Sequence, residues 1–115
     1  MKQTISFADF EKLDLRVGRI LEATAPDWST KLIQFWVDFL PEIGEKTIFS
    51  GIRKWHQPVD LVGKSYFFLA NLADKPMGKG ISQGMMLMAD EILDDQENPV
   101  LNEVDQKVNP GTDVR

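Results

Sequence analysis

Leu13-Asp14-Leu15-Arg16-Val17-Gly18-Arg19-Ile20 is the stretch on which the reading of the fold turns. Leu13, Leu15 and Val17 alternate with polar residues, as they do in a strand with one buried face, but beyond Gly18-Arg19 the apolar position shifts phase to Ile20. A phase shift at a glycine predicts a β-bulge, and a bulge bends the strand that carries it. The first long strand of a small closed barrel needs such a bend, because it must pair along both edges.

Upstream, Ser6 stands where a helix N-cap would, with Asp9 three residues on and Phe7, Phe10 and Leu13 on one face, so a short helix is expected over 6–12. Downstream, Pro26-Asp27-Trp28-Ser29-Thr30 breaks the strand. A second strand follows over 32–39, with Ile33, Phe35, Val37 and Phe39 on one face. Pro41 to Glu45 has turn chemistry, and 46–52 reads as the returning strand, weakened or bulged at Gly51. Gln57 to Gly63 fits one or two helical turns, with Pro58 early and Gly63 as the stop. Residues 65–72 and 85–89 are nearly continuous apolar runs, expected as central strands joined by a loop over 73–83. Five strands with a helix between the third and fourth give an all-β chain in the element order of an OB-fold barrel. One domain is expected over 7–115. Its barrel spans about 13–89, and an extension over about 90–115 packs on the barrel or on a second subunit through Val100, Leu101, Val104 and Val108.

A chain of 115 residues with 43% hydrophobic content can bury one core. It has no cysteine, which excludes disulfides, thiolate catalysis, cysteine-ligated zinc and iron–sulfur clusters. No apolar run approaches the roughly 18 residues that span a bilayer. The polar opening Met1-Lys2-Gln3-Thr4 lacks the apolar centre of a signal peptide, so a cytoplasmic location and no membrane partner are expected. The net charge of −5 is uneven: residues 1–88 carry +1 and residues 89–115 carry −6. The acidity therefore belongs to the extension, and an anionic partner is compatible with the body, where Lys31, Arg53, Lys54, Lys75 and Lys79 fall in or beside turns.

Catalysis finds little support. The single histidine, His56, reads as a solvated turn residue, and no Gly-x-Ser-x-Gly surrounds Ser50 or Ser82. One histidine and scattered carboxylates make no metal site, and no cofactor is expected. Gly78, Gly80 and Gly84 precede no helix pattern, so they suit close approach of strands better than a phosphate cradle. Asp94, Asp95 and Glu97 read as a solvated turn. Alternation sets Met85 and Leu87 opposite Met86 and Met88, and Met85, beside Gly84, is the one expected to meet a ligand. Trp55, following Arg53-Lys54, is a candidate stacking platform for a base or a lid over the barrel end.

Taken in order, Asp9-Phe10-x-Lys12-Leu13-Asp14-Leu15-Arg16-Val17-Gly18-Arg19-Ile20, Lys31-Leu32, Val37-Asp38, Ser50-Gly51-Ile52, Leu61-Val62-Gly63-Lys64, Ala70-Asn71-Leu72 and Ser82-x-Gly84-Met85 resemble the tRNA-binding OB domain. That domain occurs at the C-terminus of methionyl-tRNA synthetases and in small free-standing proteins. The resemblance covers about residues 7–89. It implies a non-catalytic barrel, homodimeric when free-standing, that recognises the shape of tRNA, with the tail resembling a dimer-forming extension. Carried over by position, Lys31, Ser50, Gly51, Asn71, Lys75, Lys79, Ser82 and Met85 would face RNA. Arg53, Lys54 and Trp55 join them on charge and stacking grounds, and Gly84 as an exposed backbone donor. DNA is not an expected partner. The segment Ala73-Asp74-Lys75-Pro76 carries fewer cations than the family pattern, which implies a flatter salt dependence. CsaA-type export chaperones share the fold, so binding of unfolded polypeptide is the alternative, and tethering of an aminoacyl-tRNA synthetase is a third.

Overall fold

A capped turn of helix, α1 (Phe7–Phe10), leads into β1 (Leu15–Thr24) in the computed structural model, which describes residues 1–115. The expected capping box is complete: the Asp9 N–H donates to Ser6 Oγ at 3.1 Å and the Ser6 N–H to Asp9 Oδ2 at 3.4 Å. The remaining strands are β2 (Ile33–Asp38), β3 (Glu45–Ser50), β4 (Ser65–Leu69), β5 (Lys75–Met77), β6 (Gly80–Ser82), β7 (Met85–Met86), β8 (Ala89–Leu93) and β9 (Gln96–Val100). A single 3-10 turn at Pro58–Asp60 separates β3 from β4, and Gly63 ends that segment at φ +83°. No helix is long and apolar enough to cross a membrane.

Strand β1 does pair along both edges. Leu15 to Arg19 face β4, and Arg19 to Thr24 face β2, giving a five-stranded antiparallel sheet in the order β3-β2-β1-β4-β7. The irregularity lies between Ile20 and Glu22, not at the glycine where the phase shift placed it. Gly18 is required for another reason: a Cβ there would stand 2.5 Å from Val37 Cγ1 and 2.7 Å from Phe68 Cδ1. The bend and the close crossing are thus separate devices three residues apart.

The β2 alternation holds. Ile33, Phe35, Val37 and the following Phe39 are fully buried, and Phe39 meets Phe68 of β4 edge-on with ring centroids 5.4 Å apart. Each such aromatic removes enough surface from water to contribute about 2–3 kcal/mol relative to an exposed position.

The sheet curls into a nearly closed barrel whose last seam, between β3 and the corner after β6, is made largely by side chains. The Gln83 N–H donates to Thr47 O and the Thr47 N–H to Gln83 Oε1, both at 2.8 Å. The Phe49 N–H donates to Ser82 Oγ at 3.0 Å, and that hydroxyl donates to Gly84 O at 2.9 Å. These bonds satisfy backbone donors that a longer β7 would otherwise pair. Strand β7 stops after two residues, shorter than the apolar run 85–89 suggested, because the chain turns away at Leu87 to begin the next hairpin.

Two hairpins were not foreseen. The expected loop over 73–83 folds back on itself as β5 and β6, turning at Gly78 with φ +61°. Residues 89–100 form a solvent-exposed arm of β8 and β9, turned by Asp94 and Asp95 at φ 50° and 61°, where aspartate tolerates the left-handed region better than most residues. Beyond the arm the chain packs on the barrel. The Val104 N–H reaches Ser65 O at 2.8 Å, the Gly111 N–H reaches Val17 O at 2.7 Å, and the Val17 N–H reaches Thr112 O at 2.9 Å. This return covers the edge of β1 that β2 leaves unpaired. Arg16 pins it, donating to Asp14 Oδ1 at 2.5 Å and to Gly111 O at 3.1 Å.

Candidate nucleic-acid interface

Strand β3 ends at Ser50, and Gly51 beyond it is open, with nothing within 4 Å of where a Cβ would stand. Ile52 then buries its side chain, and its carbonyl accepts from the N–H groups of Trp55 and His56 at 3.0 and 3.1 Å. That tight turn presents Arg53, Lys54 and Trp55 at the end of the barrel, with Lys54 Nζ 5.4 Å from the Trp55 ring centroid.

Gly51 is shared by two adjoining cavities. One, of about 510 Å³, is bounded by Ser50, Gly51, Leu72, Lys75, Met77 and Met85, and is lined mainly by apolar atoms. Four of the chain's five methionines reach it: Met77, Met85, Met86 and Met88. The other, of about 760 Å³, lies between Lys31, Lys54 and Trp55 on the barrel and Gln96 and Glu97 on the exposed arm. The two make one groove that meets at Gly51, just past the end of β3. Lys31, Lys54, Lys75 and Lys79 are exposed, and the ion pairs of the protein involve only Lys12 and Arg16, so these ammonium groups have no carboxylate within 4.0 Å.

Of the twelve residues the sequence pointed to, the structure brings Ser50, Gly51, Lys75 and Met85 to the first cavity, and Lys31, Lys54 and Trp55 to the second. Met85 is 46% exposed while Met86 is 3% exposed, the division that alternation predicts. Lys79 stands exposed at the tip of the β5–β6 hairpin, outside both linings. The other four are engaged by the protein itself. Ser82 lines the first cavity but is 3% exposed, with its hydroxyl occupied by the seam. Gly84 is buried there, and a Cβ would lie 2.9 Å from Leu69 O. Asn71 lies in a different hollow beside α1, where its amide accepts from the Asp14 N–H at 2.9 Å and donates to Lys12 O at 2.7 Å. The Arg53 guanidinium donates to the carbonyls of Pro26 and Ser29, which fixes the loop before Lys31.

His56 corrects an expectation. It is half-buried, with Nε2 shielded from water and lacking a hydrogen-bond partner, and is not a solvated turn residue. Gly78 and Gly80 do serve close approach, since a Cβ at either would run into the ring of Trp28 or Phe49. Those two rings pack at 5.9 Å, which makes Trp28 a support for the hairpin. Gln96 and Glu97, like Thr30, Leu32, Leu72 and Asp90, are members of the groove that sequence reasoning did not place there. Glu97 was legible only as part of an acidic run, and nothing local announces that a hairpin carries it to Trp55.

Residues 15–113 match the family described as "Putative tRNA binding domain". Over 115 residues the chain is 46% identical to a methionine–tRNA ligase of Chromobacterium violaceum, covering 99% of this chain and 16% of that protein. A methionine–tRNA ligase of Dichelobacter nodosus is 40% identical over 93 residues, 81% of this chain and 14% of its own length. The chain thus spans about a sixth of the curated relatives it matches. Among solved structures, a MetRS-related protein from Pyrococcus horikoshii superposes with a TM-score of 0.88 at 31% identity, covering 99% of this chain and all of that one. The chaperone CsaA of Bacillus anthracis superposes with a TM-score of 0.84 at 25% identity, covering 98% of this chain and all of the other.

Proposed function

The chain belongs to the tRNA-binding domain family, and on that premise we propose that it binds tRNA without catalysis, recognising its shape through the groove that meets at Gly51. The observation that carries this reading is the convergence, on two cavities sharing Gly51, of unpaired lysines, a partly exposed tryptophan and a methionine-lined wall. Lys31, Lys54, Lys75 and Lys79 meet phosphates, Gly51 and Ser50 offer backbone and hydroxyl groups to sugar or base edges, and Trp55 stacks. Ser82, Gly84, Asn71 and Arg53 act one step back, by holding the seam, the β1–β4 end and the Lys31 loop in shape. Acting within or beside a methionyl-tRNA synthetase in the cytoplasm, the domain raises the local concentration of tRNA.

Free in solution it acts as a homodimer. The arm supports this, because Leu93 and Val100 are exposed on one face of it, the face opposite Glu97, and a second copy would cover them. The test is binding of bulk tRNA across a salt series. With four phosphate contacts, the logarithm of affinity falls with the logarithm of salt with a slope of about −3. A flat dependence, or no binding at low salt, overturns the reading.

A second reading rests on the apolar lining of the Met85 cavity together with the likeness to CsaA: the same wall takes apolar side chains of unfolded polypeptide. Suppression of client aggregation that survives Lys75→Ala with Lys79→Ala, while tRNA binding does not, would separate the two surfaces.

A further inference from the structure

From the cavity between Trp55 and the exposed arm we infer a nucleobase subsite selective for guanine in unpaired RNA, an inference that rests on the tRNA-binding reading and deepens it. One wall of this cavity of about 760 Å³ is the barrel end, with Lys31, Lys54 and Trp55, and the other is the start of β9, with Gln96 and Glu97. The arm is set for the task by its turn. Asp94 and Asp95 both hold positive φ, so the two residues that follow leave a tight reversal in a paired strand. Glu97 is paired across the arm with Ile92, is exposed, and forms no ion pair with either lysine across the cavity. Its carboxylate is therefore free to accept.

The chemistry of the wall then selects the base. A nucleobase stacked on Trp55 presents its Watson–Crick edge to the arm. Guanine alone places two adjacent donors, N1–H and the N2 amino group, opposite a carboxylate, which accepts both. Adenine sets the lone pair of N1 against Glu97, cytosine offers a single donor group there, and uracil flanks its one donor with two carbonyls. The charges fit as well. Two ammonium groups and one carboxylate leave one net positive charge, which matches the single negative charge of the phosphodiester that must pass Lys31 and Lys54. This also gives the acidic arm a task that simple repulsion of RNA would contradict.

The test uses the full chain, short single-stranded homo-oligomers of guanosine (kept below the concentration at which they self-associate), adenosine, cytidine and uridine, and tryptophan fluorescence, with Trp55→Leu identifying the responding indole. Guanine oligomers should bind about tenfold more tightly than adenine oligomers. Glu97→Gln should remove most of that preference, leave adenine binding within about twofold and leave the melting temperature unchanged, since the side chain is exposed. Equal affinity for all four bases in the native chain overturns the subsite. So does a Glu97→Gln variant that binds every oligomer more tightly by the same factor, because the carboxylate would then only repel backbone phosphate. Bulk tRNA is titrated in parallel by gel shift. Salt-dependent tRNA binding with no base preference overturns the guanine subsite alone, whereas absence of both tRNA and oligomer binding overturns the parent reading with it.

Discussion

The seam that closes the barrel and the rim that surrounds the groove draw on the same short motifs and put them to opposite uses. At the seam, Ser82 is buried and spends its hydroxyl on Phe49 and Gly84, and Gln83 exchanges two hydrogen bonds with Thr47. At the rim, Met85 is half exposed only three residues from Ser82, and Lys75, paired in register with Ser82 on the neighbouring strand, carries its charge into solvent without a partner. A run such as Ser82-Gln83-Gly84-Met85 is thus a hinge between structure and recognition. Its first three residues hold a corner in place so that the fourth can face outward. Motif membership marks residues that matter to a site, and only geometry tells which of them touch what the site receives.

The comparison can be broken most forcefully from the structural side. Gly18→Val should cost about 3 kcal/mol, because its Cβ would overlap Val37, Phe39 and Phe68 at once, and thermal or urea unfolding reads the loss. Ser82→Ala comes next. It strands the buried Phe49 N–H and should cost about 2 kcal/mol, with the fall in tRNA affinity of the folded fraction staying small. A fall in affinity without a fall in stability would move Ser82 from seam to rim. At the rim, Lys75→Ala with Lys79→Ala should leave stability within about 0.5 kcal/mol and flatten the salt slope of tRNA binding by about two units. An equal loss of stability would erase the distinction from the other direction. The smallest effect concerns Tyr66. Burial, with a lesser push from Glu103, raises its hydroxyl above the ordinary value near 10. The unfolded chain therefore ionises first as pH rises, so stability is intact below about pH 10 and declines above it, and Tyr66→Phe should soften that alkaline decline.

Much of the barrel was legible because its signals are local. Ile33, Phe35, Val37 and Phe39 announce a buried face through spacing alone, Ser6 and Asp9 complete their capping box within four residues, and Pro58 and Gly63 bracket their turn. What escaped the sequence depends on partners far along the chain. The partner of the Ser82 hydroxyl is 33 residues away and that of the Asn71 amide 57 to 59 away, so residue type could suggest a polar role but not its direction. Gly18 showed a break in phase, yet the bulge lay at Ile20 to Glu22 and the glycine answered to three core side chains from other strands. The arm was hidden for a related reason: Gln96 to Val100 is polar and contains a proline, and it becomes a strand only because β8 lies beside it.

The return of the chain along β1 also sets an order of events in synthesis. Arg16 and Gly111, 95 residues apart, are joined by a hydrogen bond, and the Val114 N–H closes on Leu15 O. The central strand therefore emerges from the ribosome early and waits for almost everything after it before its open edge is paired. Contacts of such long separation slow folding, since the entropy of closing the intervening loop is lost before the contact forms. Until then the unpaired edge of β1 is open to strand pairing with a neighbouring chain.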